Sequence, residues 1–512
     1  MTCLKSRVFI AYPSNHDIEI KFEVKELIDK SKLIIVTAII IILAASIVYY
    51  INFMLPKPEQ PPPEQPQQPQ QPQQPQQPEQ IVLKVITRHG EDILKKTEEA
   101  FLATEIAKKY KIVDIWFMPV GAPLWIDTIK TRGDIDVAWG GGPVLFDLLK
   151  SEGLLAPITG EIMELINQLP DEIGGSPMKR YDEQGNLVWV AAAISSFGFT
   201  INTKYLETYN LPVPDEWIDL ANETYAATLP TPSVGCADAT RSTSNTRMYQ
   251  IILQRYGWID GWKLITLMAG NAAIYDQSGL VRDAVMRGDI GVGITIDFYG
   301  YTAELQVPNC RYILPKDGTI VNGDPIALLS TSKHKEAALA FIMWVLSPEG
   351  QKVWLDKNIN RLPINPKVFD TPEGKGRQDL KRQYELTLNA STIEFSDELA
   401  ISYENSLMWF YHATLVQAHD KLLEAWMKLV EAKENGKITS EKFKELIDEL
   451  ASPLKLKFKD PETGEEVTFT MEYAQKVNDK LRNPEFKVKM VKIWRDAAIE
   501  RYERVISILS EL

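Results

Sequence analysis

Residues 56 to 80 read "PKPEQPPPEQPQQPQQPQQPQQPEQ". Proline at nearly every third position fixes φ and removes amide donors, so neither helix nor sheet can form and extended polyproline II is favoured. The tract therefore divides the chain, and any folded core must lie to one side of it. Immediately upstream, residues 33 to 55 read "LIIVTAIIIILAASIVYYINFML", 23 residues without a charge. A bilayer-spanning helix needs about 20. Tyr49 and Tyr50 stand near the far end of the run, where interfacial aromatics belong. The run exceeds the ~7–15 apolar residues of a signal peptide, and residues 1 to 32 precede it. The expectation is an uncleaved transmembrane anchor. Lys5, Arg7, Lys21, Lys25, Lys30 and Lys32 lie before it and only Lys57 follows closely, which predicts residues 1 to 32 in the cytoplasm and the rest outside. At ~3.1 Å per residue, residues 56 to 80 would be a stalk holding an exported body away from the membrane.

That body is too long for one ordinary core. In the whole chain of 512 residues, 56 Lys and Arg stand against 69 Asp and Glu, a net charge of -13. No basic face for nucleic acid is implied. Three cysteines and five histidines, with no CxxC pair, argue against a structural zinc. No nucleophile motif, metal-ligand cluster or nucleotide loop occurs. The reading is a protein that is not an enzyme and carries no cofactor.

The body opens with alternating elements. "IVLKVITRHG" (81–90) reads as a strand and a turn, 91–110 as an amphipathic helix, "IVDIWFMPV" (112–120) as a strand, "DIDVAWGGG" (134–142) as a strand ending in glycines, and "PVLFDLLKSEG" as a helix. Such alternation predicts an α/β fold with a largely parallel sheet, whose ligands bind beyond the carboxyl ends of the strands. "TRHG" and "WGGG" stand at such ends. Glycine lets a ligand approach the backbone closely, and helix-start amides favour anions; a tight βα turn explains the same three glycines. The pattern recurs in "LVWVAAAISSFGFTINTKYL" (187–206), interrupted at Ser195, Ser196 and Gly198, in the hydroxyl-rich "DATRSTSNTRMYQ" (238–250), and in "YDQSGLVRDAVMRGDIGVGITIDFYGY" (275–301).

These segments, in this order, resemble the extracellular solute-binding proteins of ABC importers. The resemblance is closest to the branch that includes ferric-iron, sugar-phosphate and phosphonate receptors. It covers about residues 81 to 369 and is carried by "GDIDVAWGGG", "FGFTINTKYLETYNLPVPDEWIDLAN", "RSTSN", "RGDIGVGITIDFYGY" and "GTIVNGDPIALLSTSKHKEAALAFIMWVLSPEGQKVW". It implies a two-lobed periplasmic-binding-protein-like (type II) α/β fold with two hinge strands. Lobe one would be 81–186 with 313–369, and lobe two 187–312. The implied partners are a small-molecule solute, an ABC permease and its ATPase; the membrane is reached through the N-terminal helix, and no nucleic acid is bound.

The resemblance also implies a ligand set. Iron receptors of this branch use paired tyrosines, often with a histidine and a carboxylate. Here the corresponding positions read Phe298-Tyr299, with Tyr301, His89 and Asp297 nearby, so that pair is broken. The preferred solute is a phosphorylated or other oxyanionic compound. It would be held by Arg88, His89, Trp139, Gly140, Gly141, Gly142, Ser195, Ser196, Thr240, Arg241, Ser242, Thr243, Ser244, Ser278, Asp297 and Tyr299. Trp139 would stack on a sugar or belong to the core. The glycine amides would meet the solute. Alternatives are a ferric-iron receptor with an altered tyrosine site, and a surface sensor or scaffold with the same fold. Cys236 and Cys310 would both lie in lobe two on the oxidising side, where a disulfide is an option. Asn222 and Asn389 head glycosylation sequons. Residues 370–512 read as a helical extension with a hairpin around Pro461–Gly464, either packed on lobe one or serving as a docking module.

Overall fold

The computed structural model describes residues 80–512. The anchor expected at 33–55 and nearly all of the stalk expected at 56–80 lie outside the described residues. Among the described residues, no helix is long and apolar enough to cross a membrane.

Along the chain, β1 (Ile81–Thr87), α1 (Glu91–Leu102), β2 (Ile112–Pro119), β3 (Val137–Trp139), α2 (Pro143–Ser151), β4 (Lys179–Tyr181) and β5 (Leu187–Ser195) come first. Then follow β6 (Phe197–Asn202), β7 (Val234–Ala237), α3 (Thr243–Tyr256), α4 (Trp258–Gly270), β8 (Ala272–Tyr275), α5 (Ser278–Arg287), β9 (Val292–Ile296), α6 (Asp297–Gln306) and β10 (Cys310–Ile313). The chain returns through β11 (Asn322–Leu328) and β12 (Leu362–Pro363).

Two sheets result. The first runs β12-β5-β11-β3-β1-β2, with β4 added on β5, and the second runs β8-β7-β9-β6-β10. In the first sheet β1 is parallel to β2 and β3, as the βα alternation predicts, whereas β11 lies antiparallel to β3 and β5. All nine residues of β5 are buried, in keeping with the unbroken apolar run "LVWVAAAIS".

The lobe boundary differs from the one expected. β5 pairs within the first sheet, so residues 187–195 belong to lobe one and the crossing falls at Ser196. A continuous apolar run reads the same whichever sheet accepts it. The second crossing runs from Ile313 to Asn322, between β10 and β11.

A third crossing was not expected. Helix α7 (Gln378–Leu388) packs on lobe one through Leu380 and Tyr384. The chain then passes beside the second crossing, where Thr319 donates its amide to Ser391 O (2.9 Å) and accepts from Ile393 N (3.0 Å). It continues as α8 (Asp397–Tyr411), a π turn (His412–Val416), α9 (His419–Glu434), α10 (Ser440–Ala451), a short hairpin pairing Lys457–Lys459 with Glu466–Thr468, and α11 (Pro484–Ser510).

The helical part of this extension shares its core with lobe two, not lobe one. Phe199, Met248, Ile265, Leu407, Trp426 and Trp494 belong to one continuous buried cluster. Trp426 donates to Asn271 Oδ1 (2.7 Å), and Trp258 of α4 donates to Phe469 O (2.8 Å). The apolar stripes of these helices were legible in the sequence; which lobe they cover was not.

Candidate functional site

On the lobe-one side, β1 ends in Thr87-Arg88-His89 and β3 ends in Trp139 followed by three glycines. Gly140, Gly141 and Gly142 have φ of 79°, 111° and 85°, a region that side chains other than glycine's rarely adopt. Space is also short. A Cβ on Gly140 would lie 2.7 Å from the His89 ring, and one on Gly141 2.9 Å from Arg88 Cγ. Glycine is thus required at both positions by backbone conformation and by packing.

The amides at this turn meet a carboxylate of the protein itself. Gly141 N and Gly142 N donate to Asp324 Oδ1 at 2.9 and 3.3 Å. Gly140 N donates to Pro325 O at 2.8 Å. The expectation that these amides meet a solute is corrected: β11 carries Asp324 past the end of β3 and fills the place.

Asp324 is the centre of a buried cluster. Its Oδ2 accepts from Arg361 Nη1 at 2.7 Å and lies 3.7 Å from His89 Nε2. Arg361 Nη1 also reaches His89 Nδ1 at 3.2 Å, and Nη2 donates to Ser195 Oγ at 3.3 Å. Arginine is donor-only, so His89 Nδ1 accepts and its proton sits on Nε2, towards Asp324. Burial holds the His89 imidazole down to about 3; Asp324 opposes this and Arg361 adds to it. His89 is therefore neutral at neutral pH. Burial alone would raise the Asp324 carboxyl, but Arg361, His89 and the Gly141 amide hold it below its ordinary value. Trp139, offered either to a sugar or to the core, is in the core at 1% exposure, edge-on to His89 at 4.5 Å.

Arg88 behaves differently. It is exposed, and among the described residues it pairs with no carboxylate; its contact is Val120 O at 3.3 Å.

On the lobe-two side, Ser196 and Asp297 close the first crossing. Ser196 N donates to Asp297 Oδ2 (2.8 Å) and Phe298 N donates to Oδ1 (2.8 Å). Burial pushes the Asp297 carboxyl up to about 7, against the lowering effect of the Ser196 amide, Arg361 and the Phe298 amide. Arg361 of lobe one lies over the Phe298 ring at 4.9 Å.

The hydroxyl-rich loop turns on Asp238, whose Oδ1 accepts Thr240 N and Thr240 Oγ1, both at 2.9 Å. Ser242 caps α3 by accepting Asn245 N at 3.3 Å, and its Oγ lies 3.3 Å from Ser244 Oγ. Thr243 is exposed, and Arg241 pairs in solvent with Asp276 at 3.3 Å. Ser278, the first residue of α5, is 3% exposed and its hydroxyl has no partner among the described residues. Tyr299 lies under the Arg282 guanidinium at 4.8 Å. Burial raises its hydroxyl, Arg282 and Arg361 oppose this, and Asp92 at the start of α1 adds to the rise. Lobe-one and lobe-two groups thus act on one tyrosine. Tyr301 is withdrawn: it is buried, with its hydroxyl 3.3 Å from Thr387 Oγ1.

Among the described residues, Cys236 and Cys310 are free thiols. They sit on β7 and β10, with β9 and β6 between them. Three strand spacings of ~4.8 Å exceed the ~7 Å Cα limit for a bridge. Cys236 Sγ instead contacts Tyr411 Oη at 3.2 Å.

Asp324, Arg361, Arg247 and Arg282 were missed in the sequence. For Asp324 a signal existed: a lone carboxylate inside the apolar run "VNGDPIALL" must be buried, and a buried charge needs a partner.

The pattern that describes bacterial extracellular solute-binding proteins matches residues 95–352, about half of the chain. The chain belongs to the bacterial extracellular solute-binding protein family. The resemblance read from the sequence therefore stands. Two curated relatives, both the phosphoglycerate transport regulatory protein PgtC, come from Salmonella typhimurium and Salmonella typhi. Each is 33% identical over 196 residues, 38% of this chain and 47% of the relative. The chain thus spans about half the length of the curated relatives it matches. Among solved structures, the periplasmic binding protein AfuA from Actinobacillus pleuropneumoniae, determined with fructose-6-phosphate, aligns with 67% of this chain and 97% of its own. Its TM-score is 0.50 and its identity 18%, a likeness of fold.

Proposed function

We propose that this solute-binding protein captures a small phosphorylated or other oxyanionic compound between its lobes, and hands it to an ABC permease whose ATPase is a separate subunit. The observation that carries the reading is Arg88, a guanidinium at the end of β1 with no carboxylate partner among the described residues, beside a turn whose other cation, Arg361, is neutralised. A fork-shaped, permanently charged donor suits the oxygens of a phosphate or carboxylate. The unpartnered Ser278 hydroxyl, at the start of an α-helix on lobe two, adds a donor in a place favourable to anions. Thr243 and Ser244 supply further hydroxyls. A solute touching both lobes would favour the closed arrangement, and that difference is what a permease can read. The phosphoglycerate and fructose-6-phosphate named for the relatives are the first solutes to test.

The iron alternative is weaker. Phe298 occupies one tyrosine position, and the nearby Tyr301 is engaged with Thr387. Residues 33 to 55 would anchor this receptor in the membrane, with residues 56 to 80 as its stalk.

Calorimetric titration with phosphoglycerate, fructose-6-phosphate and inorganic phosphate tests the reading. Arg88→Ala should weaken binding of whichever compound binds by about 10- to 100-fold, the worth of ~1.5–3 kcal/mol for a hydrogen bond to a charged group. Equal affinity in that variant would remove the anion assignment. N-terminal sequencing of the native protein tests the anchor, which predicts a start near Met1.

A further inference from the structure

The segment Asp238–Arg247, which carries Thr240 to Ser244, is gripped at both ends by one helix of the C-terminal extension. At the C-terminal end of α8, His412 Nδ1 lies 2.7 Å from Asp238 Oδ2. Asp238 is the residue on which the loop is folded: its Oδ1 takes Thr240, and its carbonyl accepts Arg241 N and Ser242 N at 3.0 Å each. At the N-terminal end of α8, Asp397 Oδ1 accepts from Arg247 Nη2 at 2.5 Å. Between these points Gln250 donates to Glu404 (3.0 Å), and Tyr249 stacks on Tyr411 with centroids 4.5 Å apart and hydroxyls bonded at 2.9 Å. The π turn His412–Val416 begins at the gripping histidine. Such turns recur at functional positions in helices.

Asp397 also faces lobe one. Its Oδ2 lies 3.3 Å from Arg180 Nη2 on β4, and Arg180 is held in place by Asp147 of α2 at 2.8 and 3.0 Å. Arg247 in turn donates to Asn322 Oδ1 at 3.2 Å, on β11. The grip on the loop is thus braced against both lobes.

We propose that α8 is a positioning helix for the solute loop, with His412 and Asp397 as its positioning residues, so that the extension helps to set solute affinity. This rests on the reading that Thr243 and Ser244 meet the solute. A two-point grip fixes both where the loop stands and how α3 is oriented, and a prearranged site binds more tightly because less ordering is left to binding.

The test uses the full chain with His412→Ala, Asp397→Asn and His412→Asn, whose Nδ2 stands where the histidine Nδ1 stands. Hydrogen exchange should quicken about tenfold at the amides of residues 239–246 in His412→Ala and Asp397→Asn, with α9 and α11 unchanged, and His412→Asn should restore much of the protection. With phosphoglycerate as the probe, both disruptive variants should bind about 5- to 10-fold more weakly. Unchanged exchange in the loop would overturn the proposal. So would faster exchange spread evenly through lobe two and the extension, since that is loss of general stability. Ser244→Ala separates the two ideas. If it leaves phosphoglycerate binding intact, Ser244 is not a solute contact; loop exchange in the other variants then still decides whether α8 positions the loop.

Discussion

At the end of β3 two glycine amides and the Arg361 guanidinium converge on Asp324; at the start of α5 the Ser278 hydroxyl is also buried and has no hydrogen-bond partner among the described residues. The two sides of the cleft hold similar donors in opposite states. The lobe-one turn reads in sequence as an anion site, yet its amides are already satisfied by the protein's own carboxylate. The lobe-two elements read in sequence as solute contacts too; Thr240, Ser242 and Ser244 spend their hydroxyls within the loop, whereas Ser278 keeps its own spare. A donor-rich motif shows where an anion would be stable without showing whose anion it is.

The contrast makes Asp324 the place to break it. Asp324→Ala would leave Arg361 buried without its counter-charge and two amides without an acceptor. The expected cost is about 3–5 kcal/mol, the range for breaking a buried pair, read by denaturant titration. A loss below ~1 kcal/mol would mean that the carboxylate does not hold this wall together.

Gly141→Val tests the turn itself. With φ at 111° and Arg88 Cγ 2.9 Å from the new Cβ, backbone strain of about 1–3 kcal/mol is expected before any repacking. Unfolding midpoints would detect it, and parent-like stability with lost solute binding would return these glycines to the role of solute contacts.

A smaller effect separates the sides by pH. His89 in lobe one ionises at 6.5 ordinarily and at about 3 here. Between those values the unfolded chain holds a proton that the folded chain lacks, so stability falls as pH drops through that window. Asp297 runs the other way: its pKa rises from 3.8 to about 7. The folded chain holds the extra proton, so stability is full at low pH and is lost as pH rises towards 7. Each slope approaches about 1.4 kcal/mol per pH unit, and the two oppose each other where the windows overlap. His89→Asn should make stability fall with rising pH relative to the parent, and Asp297→Asn should make it rise. Denaturation between about pH 4.5 and 6.5, inside the window the two groups share, checks both signs. Identical profiles in the two variants would mean that neither group is shifted as described.

The smallest expected change is none. With the Cys236 and Cys310 strands separated by two others, adding a reductant should leave the melting temperature where it was. A drop would mean that these thiols pair after all.

Much of the frame was legible because it depends on local spacing. Apolar periodicity marked β1, β2, α1 and the helices of the extension. The strand-end positions of Arg88, His89 and Gly140–Gly142 followed from βα alternation, and the hydroxyl-rich start of α3 was visible as "RSTSN". Gly140 to Gly142 were recognisable as a place where backbone must be bare. The sequence by itself determined these because helix and strand patterns concern residues a few positions apart. Only the tertiary structure decided that β5 joins the first sheet, that the extension covers lobe two, and that Asp324 and Arg361 meet His89 from 235 and 272 positions away. An apolar face is satisfied by any apolar partner and a buried charge by any well-placed counter-charge, so choosing between candidates requires the distances that folding creates.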